Sequence, residues 1–293
     1  MGVRVPDPVG WLPGPMSVPT ILLNNETAIP QLGFGVYQIP PAQTADSVST
    51  ALEVGYRHID TAQMYGNEQE VGVAVAASGL PREELWITSK LNNCFHSPDD
   101  VKRAFDDTVA KLGTHLDLFL IHWPLPTIGL DYVETWKAMT ELVGQGTRGV
   151  GVSNFQPAHL DRLAAETGLV PAVNQIEVHP FFTNEAARAA THRTGSVVEA
   201  WSPIAQGAVL DDETIGKIAA AHGKTASQVT LRWHVQRGDV VFPKSTHRER
   251  MVENFDLFDF SLTDAEMDAI SALDQGEDGR TGPNPDTFDY VPD

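Results

Sequence analysis

Cysteine is nearly absent: Cys94 stands alone among 293 residues. An intramolecular disulfide framework is thereby excluded, and a reducing compartment suits the chain. Positive charge is scarce as well. The 20 Lys and Arg are set against 39 Asp and Glu, for a formal net charge of −19. Nucleic acid and anionic membranes are themselves negative and make poor partners for such a chain, so any anionic ligand needs a local basic pocket. No apolar run reaches the roughly 20 residues that span a bilayer. The N-terminus lacks the basic and then apolar regions of a secretory signal, and Pro6 stands where a myristoylation signal has Ser or Thr. The expected location is the cytoplasm. Two ligand motifs are missing too. The ten histidines form neither His-Glu-x-x-His nor a tight His/Cys cluster, so no metal site is expected. No Gly-x-Gly-x-x-Gly follows a strand, so the Rossmann fingerprint is absent.

What is present is ordinary in amount and regular in pattern. Hydrophobic residues make up 42% and charged residues 20%, the balance of a globular enzyme. Residues 1–18 read as an extended or disordered arm: Met1 to Pro15 hold four prolines and three glycines. The ordered pattern begins after Met16. Ile21 to Ile29, with Asn24-Asn25 at its turn, reads as a hairpin. From Leu32 onward short apolar runs alternate with helical stretches near 43–54, 67–78, 98–112, 132–143, 157–167, 184–193, 212–222 and 226–236. Cap signals open several of them: Ser97-Pro98, Asp211-Asp212 and Thr225. Continuous apolar strands alternating with helices predict a parallel sheet covered on both faces. Eight such strands predict an α/β fold, a closed (β/α)8 TIM barrel over residues 19–293. The Gly-, Pro- and Asp-rich tail from Gln275 onward is expected to fold over its active-site face. Trp86 and Trp136 read as core.

The strand ends carry the functional reading. In order they finish with Asp60, Lys90, His122, Ser153-Asn154, Gln175, Trp201-Ser202 and Lys244-Ser245. In a barrel these ends converge on the face where active sites sit. Tyr65, five residues after Asp60, is a phenol with an ordinary pKa of about 10 and needs help to act as an acid at neutral pH. Lys90 would stabilise its anion, Asp60 would hold the ammonium, and His122 adds a hydrogen-bond donor. Such a set can protonate or deprotonate one oxygen atom. No serine or cysteine is paired with a base, so acyl transfer is not its natural reaction. His179, before Pro180, reads as structural. The cluster Lys244, His247, Arg248 and Arg250 follows a strand end and supplies the basic pocket an anion needs.

The stretch GYRHIDTAQMYGNE, together with LFLIHWP, GVGVSNF, VNQIEVHP, AWSPIAQG and VVFPKSTHRERMVEN, resembles the aldo-keto reductase family. Within it the chain looks most like the bacterial branch that includes 2,5-diketo-D-gluconic acid reductases. Met16-Ser17-Val18-Pro19 resembles that branch's start, which makes Met16 the expected native initiator. The resemblance implies an NADPH-dependent reductase of aldehydes, α-dicarbonyls or keto sugars. Its tetrad falls on Asp60, Tyr65, Lys90 and His122, with Tyr65 as general acid. It further implies that Ser153, Asn154 and Gln175 hold the nicotinamide carboxamide and that Trp201 stacks on the ring. Ser202, Pro203, Ile204 and Gly207 would follow the pyrophosphate, and Lys244, Ser245, Thr246, His247 and Arg250 the 2′-phosphate. Glu253 and Asn254 would face the adenine, while Tyr37, Asn92 and Trp123 would line the substrate pocket. A monomer is the family's habit.

Three residues depart from the branch's pattern. His247 stands where arginine is common, Asn92 where tryptophan is frequent, and Tyr37 where phenylalanine is frequent. The loops after Trp123 and Gly207 are short and suggest an open pocket. Two other readings stay open on sequence alone. One is a barrel that binds NADP(H) as a redox-sensing or scaffold subunit without turnover. The other is a lyase or aldolase with Lys90 or Lys244 as a Schiff base.

Overall fold

The computed structural model describes residues 18–292. The arm read at 1–18 and the start at Met16 therefore lie, but for Val18, outside the described residues. The chain enters through an antiparallel hairpin, β1 (Thr20–Leu22) and β2 (Ala28–Pro30), paired through Ile21 and Ile29. Then follow β3 (Phe34–Gly35), α1 (Pro41–Val54), β4 (His58–Asp60), α2 (Glu68–Ala77), β5 (Trp86–Leu91), α3 (Pro98–Leu112), β6 (Leu116–Ile121) and α4 (Tyr132–Thr140). The second half holds β7 (Thr147–Ser153), α5 (Pro157–Thr167), β8 (Val173–Glu177), α6 (Glu185–Arg193), β9 (Val197–Trp201), α7 (Glu213–His222), α8 (Ala226–Gln236), β10 (Val240–Val241), α9 (Arg248–Phe255) and α10 (Asp264–Ser271).

Strands β3 to β10 pair in sequence order, each parallel to its neighbour. The ring closes where Leu32 bridges Val241 in parallel, with Gly33 N–H donating to the Val241 carbonyl at 2.8 Å. The expected eight-stranded barrel is present. Apolar side chains fill it from below: Trp86, Leu118, Leu120, Val173, Val240 and Phe242 pack together with Leu23 and Ile29 of the hairpin. Asn24 Nδ2 donates to the Pro171 carbonyl at 2.9 Å and fastens the hairpin to the barrel floor. Close packing of the strands leaves no room at Gly151, where an added Cβ would meet Leu120 Cδ2 at 2.8 Å. Trp86 and Trp136 are buried as expected.

Local signals held in part. Asp212 caps α7 by accepting from Thr214 N and Ile215 N, and Thr225 forms a capping box with Gln228. Ser97 does not cap α3; its hydroxyl donates to Asp100 Oδ2 at 2.6 Å instead. Helix α4 stops at Thr140 rather than 143, because Val143 and Gly144 turn to pair with Thr147. Helices α9 and α10 were not anticipated. The signal for α10 was there: Thr263 and Glu266 form a capping box.

The tail crosses the mouth of the barrel. Gln275 N–H donates to the Phe181 carbonyl, and Glu177 at the end of β8 accepts from Thr281 N–H (2.6 Å), Thr281 Oγ1 (2.5 Å) and Gly282 N–H (3.0 Å). Gly282 must be glycine there, since a Cβ would overlap the Trp201 indole. Further on, Phe288 packs on Trp123 at 4.3 Å between ring centroids, and Asn93 Nδ2 donates to the Tyr290 carbonyl at 2.9 Å.

Candidate active site

Strand β4 ends in Asp60, and the chain turns through a short 3-10 segment, Gln63–Tyr65, closed by Gly66 at φ +69°. Gln63 fixes that turn. Its amide donates to the Ala104 carbonyl (2.7 Å) and Thr108 Oγ1 (2.8 Å), and its oxygen accepts from Asn92 N–H (2.7 Å). Tyr65 is thereby held above Lys90, which rises from the interior of β5. Lys90 Nζ donates to Asp60 Oδ1 at 2.7 Å, to the Thr61 carbonyl at 2.9 Å and to Tyr65 Oη at 3.2 Å. His122, immediately after β6, places its ring 5.7 Å from that of Tyr65. The four expected catalytic residues therefore meet in one place.

Burial sets their charge states. Burial of the Tyr65 hydroxyl pushes its pKa up to about 12, against the downward pull of Lys90. Sequence reasoning anticipated the pull but not that burial outweighs it. The phenol therefore keeps its proton at neutral pH, and Lys90 is the neighbour that favours its anion. Burial alone would lower Lys90, but Asp60 and Tyr65 more than offset it and hold the ammonium above its ordinary value. A Schiff-base amine must be neutral to attack a carbonyl, so Lys90 is badly placed for that role. Burial, with Lys90 and His96 nearby, keeps the His122 imidazole well below its usual value and hence neutral. Its Nδ1 is buried and has no partner among the described residues.

The residues expected around the nicotinamide interlock. Asn154 Nδ2 donates to the His122 carbonyl (2.9 Å) and Ser153 Oγ (3.1 Å), and its Oδ1 accepts from Trp201 Nε1 (2.9 Å). One amide thus ties three strand ends together. Gln175 Nε2 donates to Asp60 Oδ2 and to Glu199 Oε2, both at 2.9 Å. Glu199 was missed in the sequence, although an acid within the apolar run Val197–Trp201 is the mark of a buried charge. Backbone strain gathers in the same loops: Asn154 (φ +65°), Ser202 (+50°), Ala205 (+48°) and Gln206 (+55°) are left-handed non-glycine residues, beside Gly207 at +102°. Such conformations concentrate at functional sites.

Beyond β10, Lys244, Thr246, His247 and Arg250 are exposed around the start of α9. Among the described residues Lys244, His247 and Arg250 form no ion pair, whereas Arg248 is committed to Glu53. Ser245 Oγ accepts from His247 N–H at 3.0 Å and shapes the turn. Glu253 and Asn254 lie toward the far end of α9 and accept from Thr225, the N-cap of α8, and from Ser227 on α8. Tyr37 is 58% exposed, with its ring 4.9 Å from that of Tyr65, and Trp123 is buried under Phe288. Asn92 turns its side-chain oxygen to Cys94 N–H, 3.3 Å away, and spends it on the following turn. His179, buried with Nε2 3.1 Å from Glu177 Oε1, sits with the tail contact, consistent with a structural role.

No serine or cysteine meets a base at this mouth among the described residues; a phenol, an ammonium, a carboxylate and a neutral imidazole meet there instead. That equipment, on this barrel, is an oxidoreductase's. The chain belongs to the aldo/keto reductase family, whose family model matches residues 31–275. It is 48% identical over 275 residues to an aldo-keto reductase of Mycolicibacterium smegmatis, covering 93% of this chain and 99% of that one. It is 46% identical over 283 residues to methylglyoxal reductase DkgA of Escherichia coli, with 93% and 99% covered. A crystal structure of a Gox0644 mutant in complex with NADPH matches with a TM-score of 0.89 at 42% identity, over 94% of this chain and all of that one.

Proposed function

We propose that residues 19–293 form one catalytic unit, an NADPH-dependent reductase of aldehydes, α-dicarbonyls or keto sugars with Tyr65 as general acid. One observation carries the reading: the unbroken contact from the Tyr65 hydroxyl through Lys90 to Asp60, beside a neutral His122. Similarity to a methylglyoxal reductase supports small dicarbonyls among the substrates, and the NADPH-bound neighbour supports the cofactor.

The residues present fit that cofactor. Among the described residues Lys244, His247 and Arg250 are basic groups without an ion pair that a 2′-phosphate could take up in an otherwise acidic protein, and the left-handed residues Ser202, Ala205, Gln206 and Gly207 bend the loop after β9 where a pyrophosphate would lie. Ser153, Asn154, Gln175 and Trp201 would hold the nicotinamide. When bound, the reduced nicotinamide supplies a hydride to the carbonyl carbon. Tyr65 gives its hydroxyl proton to the carbonyl oxygen, so C=O becomes CH–OH, and Lys90 stabilises the phenolate left behind. His122, being neutral, donates a hydrogen bond that orients the carbonyl without competing for the proton. Phe288 and Trp123 shield the site from water.

NADPH oxidation across a panel of aldehydes, α-dicarbonyls, keto sugars and quinones tests the reading. Turnover of short α-dicarbonyls is the expected result. Failure of every carbonyl in the panel, with NADPH bound, contradicts it.

A further inference from the structure

Inside the barrel, below the mouth, two carboxyl groups share one amide. Gln175 Nε2 carries two protons and lies 2.9 Å from Asp60 Oδ2 and 2.9 Å from Glu199 Oε2. The Asp60 carboxylate, ion-paired with Lys90, can only accept, so it alone fixes the orientation of the Gln175 amide. Asp60 has its other oxygen on Lys90, so the chain of contacts runs from Tyr65 through Lys90, Asp60 and Gln175 to Glu199. All but Tyr65 are buried. Glu199 Oε1 is buried too and has no partner among the described residues.

We propose that Glu199 is a positioning residue for the cofactor site: with Asp60 it takes both amide protons of Gln175, leaving Gln175 only its carbonyl oxygen to offer a bound nicotinamide carboxamide. The inference rests on the reading that the nicotinamide binds at Gln175. The carboxamide would then present its NH2 to Gln175.

The arrangement depends on the charge of Glu199. An ionised carboxylate with one oxygen unpartnered in a dry interior is costly. The groups facing it are Asp60 from β4, a like charge, Lys90 from β5, already committed to Asp60, and Gln175 from β8; β10 presents only Val240 and Val241. Burial first, and Asp60 second, push its pKa up to about 8, so it is neutral at pH 7. Above that value the new charge repels Asp60 and competes for Lys90, the order around Gln175 is lost, and cofactor binding weakens. The effect belongs to the nicotinamide end, so NADPH and NADH share it.

Three variants test the proposal: Glu199→Gln, which keeps an acceptor and cannot ionise, Glu199→Leu, which removes the acceptor, and Gln175→Leu. Fluorescence titrations with NADPH and with NADH, from about pH 6 to about pH 9.5, give the affinities, and melting temperatures show that each variant is folded. Infrared spectroscopy of the ligand-free protein reads the protonated carboxyl directly. At neutral pH, Glu199→Gln should bind both cofactors within about twofold of wild type. Glu199→Leu and Gln175→Leu should each bind about tenfold more weakly, the cost of one buried polar contact. Wild type should lose affinity for both cofactors as pH rises through about 8, together with a carboxyl C=O band, and Glu199→Gln should lose neither. Wild-type affinity in folded Glu199→Leu, or an unchanged alkaline loss in Glu199→Gln, overturns the inference while the cofactor reading stands. A wild-type chain that binds neither cofactor overturns both.

Discussion

The ammonium of Lys90 lies 3.2 Å from the hydroxyl of Tyr65. That contact joins a residue of strand β5 to one on the turn after β4, and under the proposed function it selects the proton the site moves. Burial lifts the phenol to about 12 while Lys90 pulls it down, so on the proposed reading Lys90 is what lets Tyr65 give up its proton.

Replacing Lys90 by methionine should therefore lower kcat/KM by about 10²-fold or more. It also strands the Asp60 carboxylate, and breaking a buried pair costs about 3–5 kcal/mol. The double variant Lys90→Met/Asp60→Asn should recover much of the melting temperature and none of the activity. Joint recovery of both would show that Lys90 serves only stability.

One carboxylate holds the tail where it passes the end of β8. Glu177 accepts three hydrogen bonds from Thr281 and Gly282. Burial alone would raise its pKa, but His179 and these tail donors keep it below the ordinary carboxylate value. In Glu177→Ala the Thr281 and Gly282 amides should exchange about tenfold faster or more, since a bond to a charged acceptor is worth about 1.5–3 kcal/mol. Hydrogen exchange measures this, and unchanged protection of both amides contradicts it.

His247 stands at the N-cap of α9 among exposed basic groups. A guanidinium offers a phosphate a fixed fork of donors and a permanent charge that an imidazole lacks. His247→Arg should bind NADPH several-fold more tightly and leave NADH unchanged. Parallel changes for the two cofactors would place His247 away from the phosphate.

Buried histidines set the acid limit of stability. Burial lowers His58 and His96 to about 4 each. The native chain thus binds fewer protons than the unfolded one, so their stability is present above about pH 6.5 and is lost as pH falls toward about 4. Each contributes on the order of 3 kcal/mol across that window. Urea unfolding should show the decline, shallower in His96→Asn. A flat wild-type profile over that range contradicts the assignment.

How much of this was legible in the sequence follows from what each feature depends on. Strand ends could be read because Asp60, Lys90, His122 and Gln175 each break an apolar run, and period and breakage are local properties. Glu199 breaks a run in the same way, but its partner Gln175 becomes visible only when β8 and β9 pair. The Glu177 contact with Thr281 spans 104 residues and leaves no local trace. Helix α9 was hidden because Lys244, His247, Arg248 and Arg250 read as a basic pocket for an anion rather than as the approach to a helix and its first turn. The net rise of the Tyr65 pKa depends on how deeply the hydroxyl sits, which spacing does not encode.

The central claim is that Tyr65 gives the proton, and Tyr65→Phe tests it most directly. The substitution removes one hydroxyl and leaves the ring between Tyr37 and His122. Steady-state reduction of a good α-dicarbonyl substrate should fall by about 10²–10⁴-fold, as loss of a general acid does, while a fluorescence titration finds NADPH affinity within a few-fold of wild type. A phenylalanine variant that binds NADPH and keeps half its activity would contradict the account.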